Sequence, residues 1–462
     1  VPTQGKGWRG FATGEVLTTD RETMTSALQI TGGVPLEGTI EVRGAKNFVP
    51  KAMVAALLGS TPSVLHNVPE IKDVQVVTDL VALHGVDVAN DGQGSLTLDP
   101  TNVTRARYSD IDAHAGDSRI PILLCGPLLH TLGEAFIPDL GGCKIGDRPI
   151  NYHLDVLRNF GAKVDKLESG IKMSAPNGLH GAKVELPYPS VGATEQVLLS
   201  ATRARGRTEL RGAATEPEIM NLIAVLQKMG AIITVQTDRV IHIEGVEELK
   251  GYNHRAMCDR IEAASWGSAA LVTGGSIFVE GATQSDMMTF LNVFRKTGGE
   301  LDIRDNGIQF SHPGGALNPL VVETDVHPGF MTDWQQPLVV ALTQADGVSI
   351  VHETLYENRF GFTHALNGMG ANIQLHRDCL GSTPCRFGQS NFVHSAIISG
   401  RTPLKAQDIH VPDLRGGFSH LIAALGAEGH SKVTGVELIQ RGYERFTSKL
   451  ETLGANFDVV DA

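Results

Sequence analysis

The sequence predicts an α/β fold made of six repeated strand–helix–strand–helix–strand units, three to each of two domains. Three observations carry this. An apolar-striped helix runs into a glycine and then a short strand six times, at Gly85, Gly161, Gly230, Gly298, Gly370 and Gly454. The gaps between those glycines are 76, 69, 68, 72 and 84 residues, and a recurring period sets the architecture before any motif is read. The length of 462 residues also exceeds one ordinary core.

The first junction, DLVALHGVDV (79–88), is the most divergent copy. VLRNFGAKV (156–164), VLQKMGAII (225–233), VFRKTGGEL (293–301), ALNGMGANI (365–373) and KLETLGANF (449–457) follow it. In the third copy Leu222, Val225, Leu226 and Met229 fall at i, i+3, i+4 and i+7, one face of a helix. Gly230 supplies the left-handed residue that ends it. The next stretch, 231–236, alternates apolar and polar like a half-buried strand. Phe362, Ala365, Leu366 and Met369 repeat the stripe in the fifth copy.

A second helix is expected upstream of each junction, over 44–60, 116–130, 191–206, 259–275, 332–347 and 413–429. Several of these place proline in or near the first turn (Pro50, Pro121, Pro337), where a missing N–H costs little. Strands such as 63–68, 276–281 and 349–354 lie between the two helices.

Apolar residues make up 42% of the chain and charged residues 19%, the balance of a soluble globular protein. No run of 18 apolar residues occurs, so no membrane span is expected. Residues 1–23 lack the apolar core of a signal peptide and read as a tag or flexible extension ahead of Met24. A net charge of −12 argues against non-specific nucleic-acid binding. An anionic substrate would need a local cluster of Arg and Lys. Five cysteines at irregular spacing fit a reducing cytoplasm better than a disulfide framework. Cys125 and Cys258 lie in or beside helices and read as inert. Cys379 and Cys385 flank a polar loop without two further ligands at suitable spacing, so no metal is expected there.

The loops ahead of the helices carry the charge. In GGCKIGDRPINYH (141–153), Cys143 is flanked by Gly142 and Lys144 with Arg148 nearby. Neighbouring cations favour the thiolate, so Cys143 is a candidate acid or nucleophile. Lys46 in RGAKN, Arg119 in GDSRIP, Arg415 in DLRGG and Arg441 in RGYER all read as cations at helix starts. Arginine opposes the helix dipole there. Four such positions therefore suggest a shared phosphate or carboxylate. Taken alone, Lys46 would read as an ordinary solvated lysine. Asp259, Asp333 and Asp413 also open helices. Asp259 with Glu262 and Asp333 with Gln336 fit capping boxes. Asp333 follows the polar stretch HPGFMTD and has a second reading as a general base.

Together these motifs resemble the enolpyruvyl transferase family. The segments that carry the likeness are GGVPLEGTIEVRGAKN, LGGCKIGDRPINYHLDVLRNFGA, SVGAT, EPEI, DRIE, TDWQ, ENRF, DLR and RGYER, spread from about Leu28 to Val460. The resemblance implies two inside-out, barrel-like α/β domains, 24–46 plus 258–462 and 47–257. It implies phosphoenolpyruvate as donor and UDP-N-acetylglucosamine as acceptor, transfer by addition–elimination with loss of phosphate, and a place at the first committed step of peptidoglycan synthesis. No cofactor or metal is implied.

By resemblance, Cys143 takes part in proton transfer on a loop, 141–148, that closes over the donor, and is the residue fosfomycin alkylates. Lys46, Arg119, Arg148, Arg415 and Arg441 hold the donor. Asn47, Arg148, Pro149, Ile150, Ser190, Val191 and Gly192 form the acceptor edge. Asp333 sits at the acceptor hydroxyl, so its reading as a base outweighs the cap. Glu216, Asp259, Arg359 and Asp413 support the reacting groups.

One position departs from the family pattern. Many members carry lysine two residues before Ser-Val-Gly, near the UDP, where this chain has Tyr188. Tyrosine can stack or hydrogen-bond but cannot pair with a pyrophosphate charge. The stretch 377–401 is also longer than the family's usual link. Two other readings remain at this stage: transfer to a different acceptor such as UMP, and a catalytically silent UDP-sugar-binding paralogue. Shikimate 3-phosphate is a poor acceptor candidate, because that branch lacks the GGC cysteine.

Overall fold

The structure, a computed structural model, describes residues 26–461 apart from 115, 117, 139, 141–149, 384, 387 and 389. The N-terminal extension expected over 1–23 lies outside the described residues.

Six small sheets share one plan. In five of them a parallel edge strand joins a strand that continues into two antiparallel partners. Thus Glu37–Glu41 runs parallel to Ser276–Glu280, which pairs antiparallel with Gly307–Ser311, itself paired with Glu300–Arg304. The sixth has three described strands, Glu134–Pro138, Gly170–Ser174 and Lys163–Leu167. Among the described residues the first and last strands share one sheet, since Ser26–Thr31 pairs antiparallel with Asn456–Asp461.

All six junction glycines adopt positive φ, from 77° at Gly454 to 110° at Gly298. A side chain there would be strained, so the repeated glycine is a repeated chain reversal. The helices before them are amphipathic. Leu222, Val225, Leu226 and Met229 are all buried, as the stripe requires.

The upstream helices are of another kind. In Arg260–Thr273 every residue except Val272 is buried, and in Thr332–Leu342 every residue except Asp333. Helices buried all round lie inside, and their polar side chains, Arg260, Glu262 and Gln335 among them, find partners there. These two pack on each other and on Leu414–Gly426, with sheets outside them. Trp266 meets Phe418 edge-on, 5.0 Å between ring centres. One apolar core spans Ala45 to Ala256. A second draws on Leu28 to Val42 and on Ala263 to Leu453.

Proline placement was only partly as expected. Pro50 and Pro121 occupy the first turns of Val49–Ala56 and Pro121–Leu132. Pro337 lies inside Thr332–Leu342, where it forgoes the backbone bond to the Asp333 carbonyl. Burial on all sides holds that helix together.

Candidate active site

The chain crosses between the cores twice, side by side. Ala45 N–H donates to Met257 O at 2.8 Å and Asp259 N–H to Arg43 O at 2.8 Å. Lys46 and Asn47 emerge from this double crossing. Lys46 Nζ lies 2.7 Å from Asp73 Oδ2, and Arg441 Nη2 lies 3.2 Å from Asp73 Oδ1. A lysine at the join, an aspartate of the first core and an arginine of the second therefore meet at one point. Burial opposes ionisation of Asp73, but Lys46 and Arg441 outweigh it and hold its carboxyl below the usual range. Arg441 ends the short 3-10 helix Val436–Arg441 rather than opening a helix. Its place beside Lys46 comes from the fold.

Asp259 caps Arg260–Thr273: its Oδ1 accepts from Ile261 and Glu262 N–H at 2.8 and 3.1 Å. Its Oδ2 accepts from Lys46 N–H at 3.1 Å, tying the cap to the crossing. The capping reading is thus observed, without the reciprocal half of the box. The Glu262 side chain instead accepts from Trp266 Nε1 and Lys449 Nζ. Asp413 caps Leu414–Gly426 in the same way through Arg415 and Gly416 N–H.

Asp333 does not cap. The N-cap of its helix is Met331. The Asp333 carboxylate accepts from Arg359 Nη2 at 2.6 Å, and its other oxygen lies 4.0 Å from Arg415 Nε. The expected Asp333–Gln336 box is replaced by a shared cation, since Gln336 Oε1 also accepts from Arg359 Nη2 at 3.4 Å. Arg359 is 2% exposed and Arg415 6%. Buried Arg415 Nη1 has no hydrogen-bond partner among the described residues. A desolvated guanidinium N–H of that kind favours an anionic oxygen.

At the neighbouring interface Glu216 is buried with Oε2 unpartnered among the described residues, and burial raises its pKa. The carboxylate that bridges the cores there is Glu218, which accepts from Arg260 Nε and Nη2 at 3.0 Å each.

On the first core, Ser190 caps Val191–Ala201, accepting from Ala193 N–H at 3.4 Å. Val191 and Gly192 form its first turn, and Ile150 is the N-cap of Asn151–Asn159. Tyr188 packs edge-on against Tyr152, 5.6 Å between ring centres. From the second core, the guanidinium carbon of Arg386 sits 3.6 Å from the centre of the Tyr188 ring. Arg119, half-buried, lies just ahead of Pro121–Leu132. Cys143, Arg148 and Pro149 lie outside the described residues.

Comparison with known proteins decides the family. The family model described as EPSP synthase (3-phosphoshikimate 1-carboxyvinyltransferase) matches residues 30–450. The chain belongs to this enolpyruvyl transferase family. A UDP-N-acetylglucosamine 1-carboxyvinyltransferase of Protochlamydia amoebophila is 48% identical over 94% of this chain and 94% of its own length. That of Chlamydia abortus is 45% identical over 94% of this chain and 98% of its own. Among solved structures, the enolpyruvyl transferase NikO from Streptomyces tendae superposes with a TM-score of 0.83 at 20% identity, covering 95% of this chain and 99% of NikO. EPSP synthase from Acinetobacter baumannii gives 0.74 at 18% identity, covering 94% and 100%.

Within this enolpyruvyl transferase, sequence reasoning missed four groups. Asp73 sits mid-segment with no motif around it. The Glu218–Arg260 pair needed the fold to bring two helices together. Partly buried Lys51 and buried Glu195 lie 3.6 Å apart, Glu195 on the helix that Ser190 caps, and Lys51 Nζ also donates to Asn47 O at 2.7 Å. Burial pushes Glu195 up to about 7 against the pull of Lys51. The Glu that ends SVGATE (190–195) was the only signal.

The fourth group corrects the expectation that Cys379 and Cys385 lack further ligands. His352 and His394 join them, and the four ligand atoms lie within 4.8 Å of one another. Strand pairing, not sequence spacing, supplies the two histidines.

Proposed function

We propose that this chain transfers the enolpyruvyl group of phosphoenolpyruvate to the 3-hydroxyl of UDP-N-acetylglucosamine, releasing phosphate at the first committed step of peptidoglycan synthesis. The observation that carries this is the 48% identity over nearly the full length of both chains to a relative named for that activity. No helix among the described residues is long and apolar enough to cross a membrane, which fits work on soluble substrates in the cytoplasm.

In this reading the donor's anionic groups take the cations Lys46, Arg119, Arg148, Arg415 and Arg441. The two halves, 24–46 with 258–462 and 47–257, close on the substrates, and Asp73 gives up part of its hold on Lys46 and Arg441. Protonation of the donor's terminal methylene carbon, with Cys143 as the acid, makes C2 electrophilic. The sugar 3-oxygen bonds to C2 while its proton passes to Asp333, held by Arg359. The tetrahedral ketal then loses a methyl proton and breaks the C2–O bond to phosphate, leaving the enol ether. Asn47, Ser190, Val191, Gly192, Ile150 and Tyr188 hold the acceptor. Glu216, Asp259 and Asp413 keep the surrounding backbone and cations in place.

The test is phosphate release from phosphoenolpyruvate with UDP-N-acetylglucosamine, with UMP and with no acceptor, product masses recorded. Release with a UDP-N-acetylglucosamine-enolpyruvate mass is expected. Turnover with UMP alone would make Tyr188 the mark of a different acceptor. Tight UDP-sugar binding with no turnover would make the chain a silent paralogue.

A further inference from the structure

One strand pair and the loop between its neighbours create a second polar cluster, built from residues that have no role in the proposed reaction. Gly347–His352 pairs antiparallel with Ser395–Gly400, with His352 opposite Ser395. His352 therefore ends one strand and His394 immediately precedes the next. The connecting stretch after Ile373–His376 carries Cys379 and Cys385 back over this end of the sheet.

Both histidines are 0% exposed. Neither ring nitrogen of His352 has a hydrogen-bond partner among the described residues. The nearest recorded carboxylate, Glu323 Oε2, is 3.7 Å from its Nδ1, beyond hydrogen-bond reach. A fully buried imidazole with both nitrogens unsatisfied is costly unless something binds it. His394 is arranged differently. Its Nδ1 lies 2.8 Å from the carbonyl oxygen of Phe392, and its Nε2 3.3 Å from Cys379 Sγ. An Nδ1–H donating to that carbonyl leaves the Nε2 lone pair facing the thiol, the tautomer that a metal-ligating histidine takes.

The loop is held from outside as well. Glu323 accepts from Ser382 N–H and Oγ at 2.8 and 3.0 Å. It also accepts from Thr383 N–H at 2.5 Å. Gly381 passes so close to His352 that a Cβ there would fall 2.3 Å from Nδ1. Glycine thus lets the loop lie directly on the histidine.

We infer that His352, Cys379, Cys385 and His394 form a structural binding site for a divalent, thiophilic metal ion of the zinc class. Two thiolates and two imidazoles are a complete tetrahedral set with no open position, so the ion's role is to cross-link rather than to catalyse. Tetrahedral bonds of about 2.0–2.3 Å place ligand atoms roughly 3.3–3.8 Å apart. The Cys379–His394 contact already has that spacing, and the set as a whole needs only a small contraction. Metal binding expels the thiol protons and ties the loop to the sheet. That loop carries Arg386, so the ion also fixes the residue that stacks on Tyr188.

The test uses the full chain, purified under reducing conditions, with zinc ion and then cobalt(II) as probes. One bound zinc per chain by elemental analysis is expected. Cobalt replacement should show tetrahedral visible bands with thiolate-to-cobalt charge transfer. The double variant Cys379→Ser/Cys385→Ser should lose the zinc. Partners outside the ligand shell alone are worth roughly 10–100-fold in affinity, so losing two ligands costs at least that. If the variant does not fold, the cobalt spectrum of the unaltered chain decides by itself. Three results would overturn the site: no saturable zinc or cobalt binding, zinc retained by the double variant, or a Cys379–Cys385 disulfide in the freshly reduced protein by mass. Each is independent of whether the transferase reaction is observed.

Discussion

Asp73 and Lys46 form a 2.7 Å ion pair across the join between the two cores, and Arg441 binds the same carboxylate from the far side. An anionic substrate must compete with Asp73 for both cations. Asp73→Asn is therefore expected to tighten phosphoenolpyruvate binding by roughly 10-fold, equivalent to about 1.4 kcal/mol. It should also destabilise the free protein by about 1–3 kcal/mol, because two cations lose their partner. Because the Asp73 pKa is depressed, its stabilisation is present above the unfolded value and is lost as pH falls through the folded value. Calorimetric titration together with thermal unfolding reads both effects. An unchanged dissociation constant would mean the donor joins the ion pair instead of displacing it.

Arg359 lies 2.6 Å from Asp333 and is itself buried, so it sets where that carboxylate points. The same Nη2 also reaches Gln336 Oε1, and lysine, shorter and without the rigid guanidinium plane, cannot hold a donor at that point. Arg359→Lys is expected to lower kcat by about 100-fold through misplacement of the base, with the donor KM nearly unchanged. Steady-state kinetics with each substrate varied in turn measures the split. A rise in donor KM at constant kcat would assign Arg359 to binding.

The Glu218–Arg260 pair has side chains only 4% and 2% exposed and joins the two cores. Glu218→Gln leaves a buried guanidinium uncompensated and should cost about 3–5 kcal/mol. Replacing both residues with apolar side chains of similar volume should recover much of that loss. Denaturant unfolding of the single and double variants checks this, and a double variant no better than the single one would count against the desolvation argument.

Glu195 titrates near neutrality because burial pushes it up to about 7 from 4.5. Between those values the folded chain holds a proton that the unfolded chain has lost. Its contribution to stability therefore falls as pH rises from about 4.5 to about 7. Glu195→Gln should flatten the stability profile across that window. Melting temperatures at closely spaced pH values test it, and parallel profiles for the two proteins would remove Glu195 from the account.

Arg386 lies over Tyr188, the ring that the proposed function puts against the acceptor. A cation–π contact of this kind is worth about 0.5–2 kcal/mol. Arg386→Ala is expected to raise the KM for UDP-N-acetylglucosamine several-fold and to leave the phosphoenolpyruvate KM unchanged. Equal effects on both substrates would place Arg386 in domain closure rather than acceptor recognition.

Much of the scaffold was legible in the sequence because it is set by local physics. The junction glycines, the amphipathic stripe around Leu222–Met229, and the caps at Asp259 and Asp413 each depend on residues within one or two helical turns. The Asp333 cap failed because a distant arginine competed for the same carboxylate. Pro337 failed as a first-turn signal because burial on every side keeps its helix intact without one backbone bond.

What the sequence determined by itself was the repeat, the elements and the family. Periodicity and motif order are properties of neighbouring residues, and six copies of one pattern reinforce each other. Only the tertiary structure decided which charges meet. Asp73 reaches Lys46 and Arg441, Arg386 reaches Tyr188, and His352 and His394 close on Cys379 and Cys385, all through contacts between distant segments. Those partnerships are settled by strand register and helix packing, which no single stretch of the chain contains.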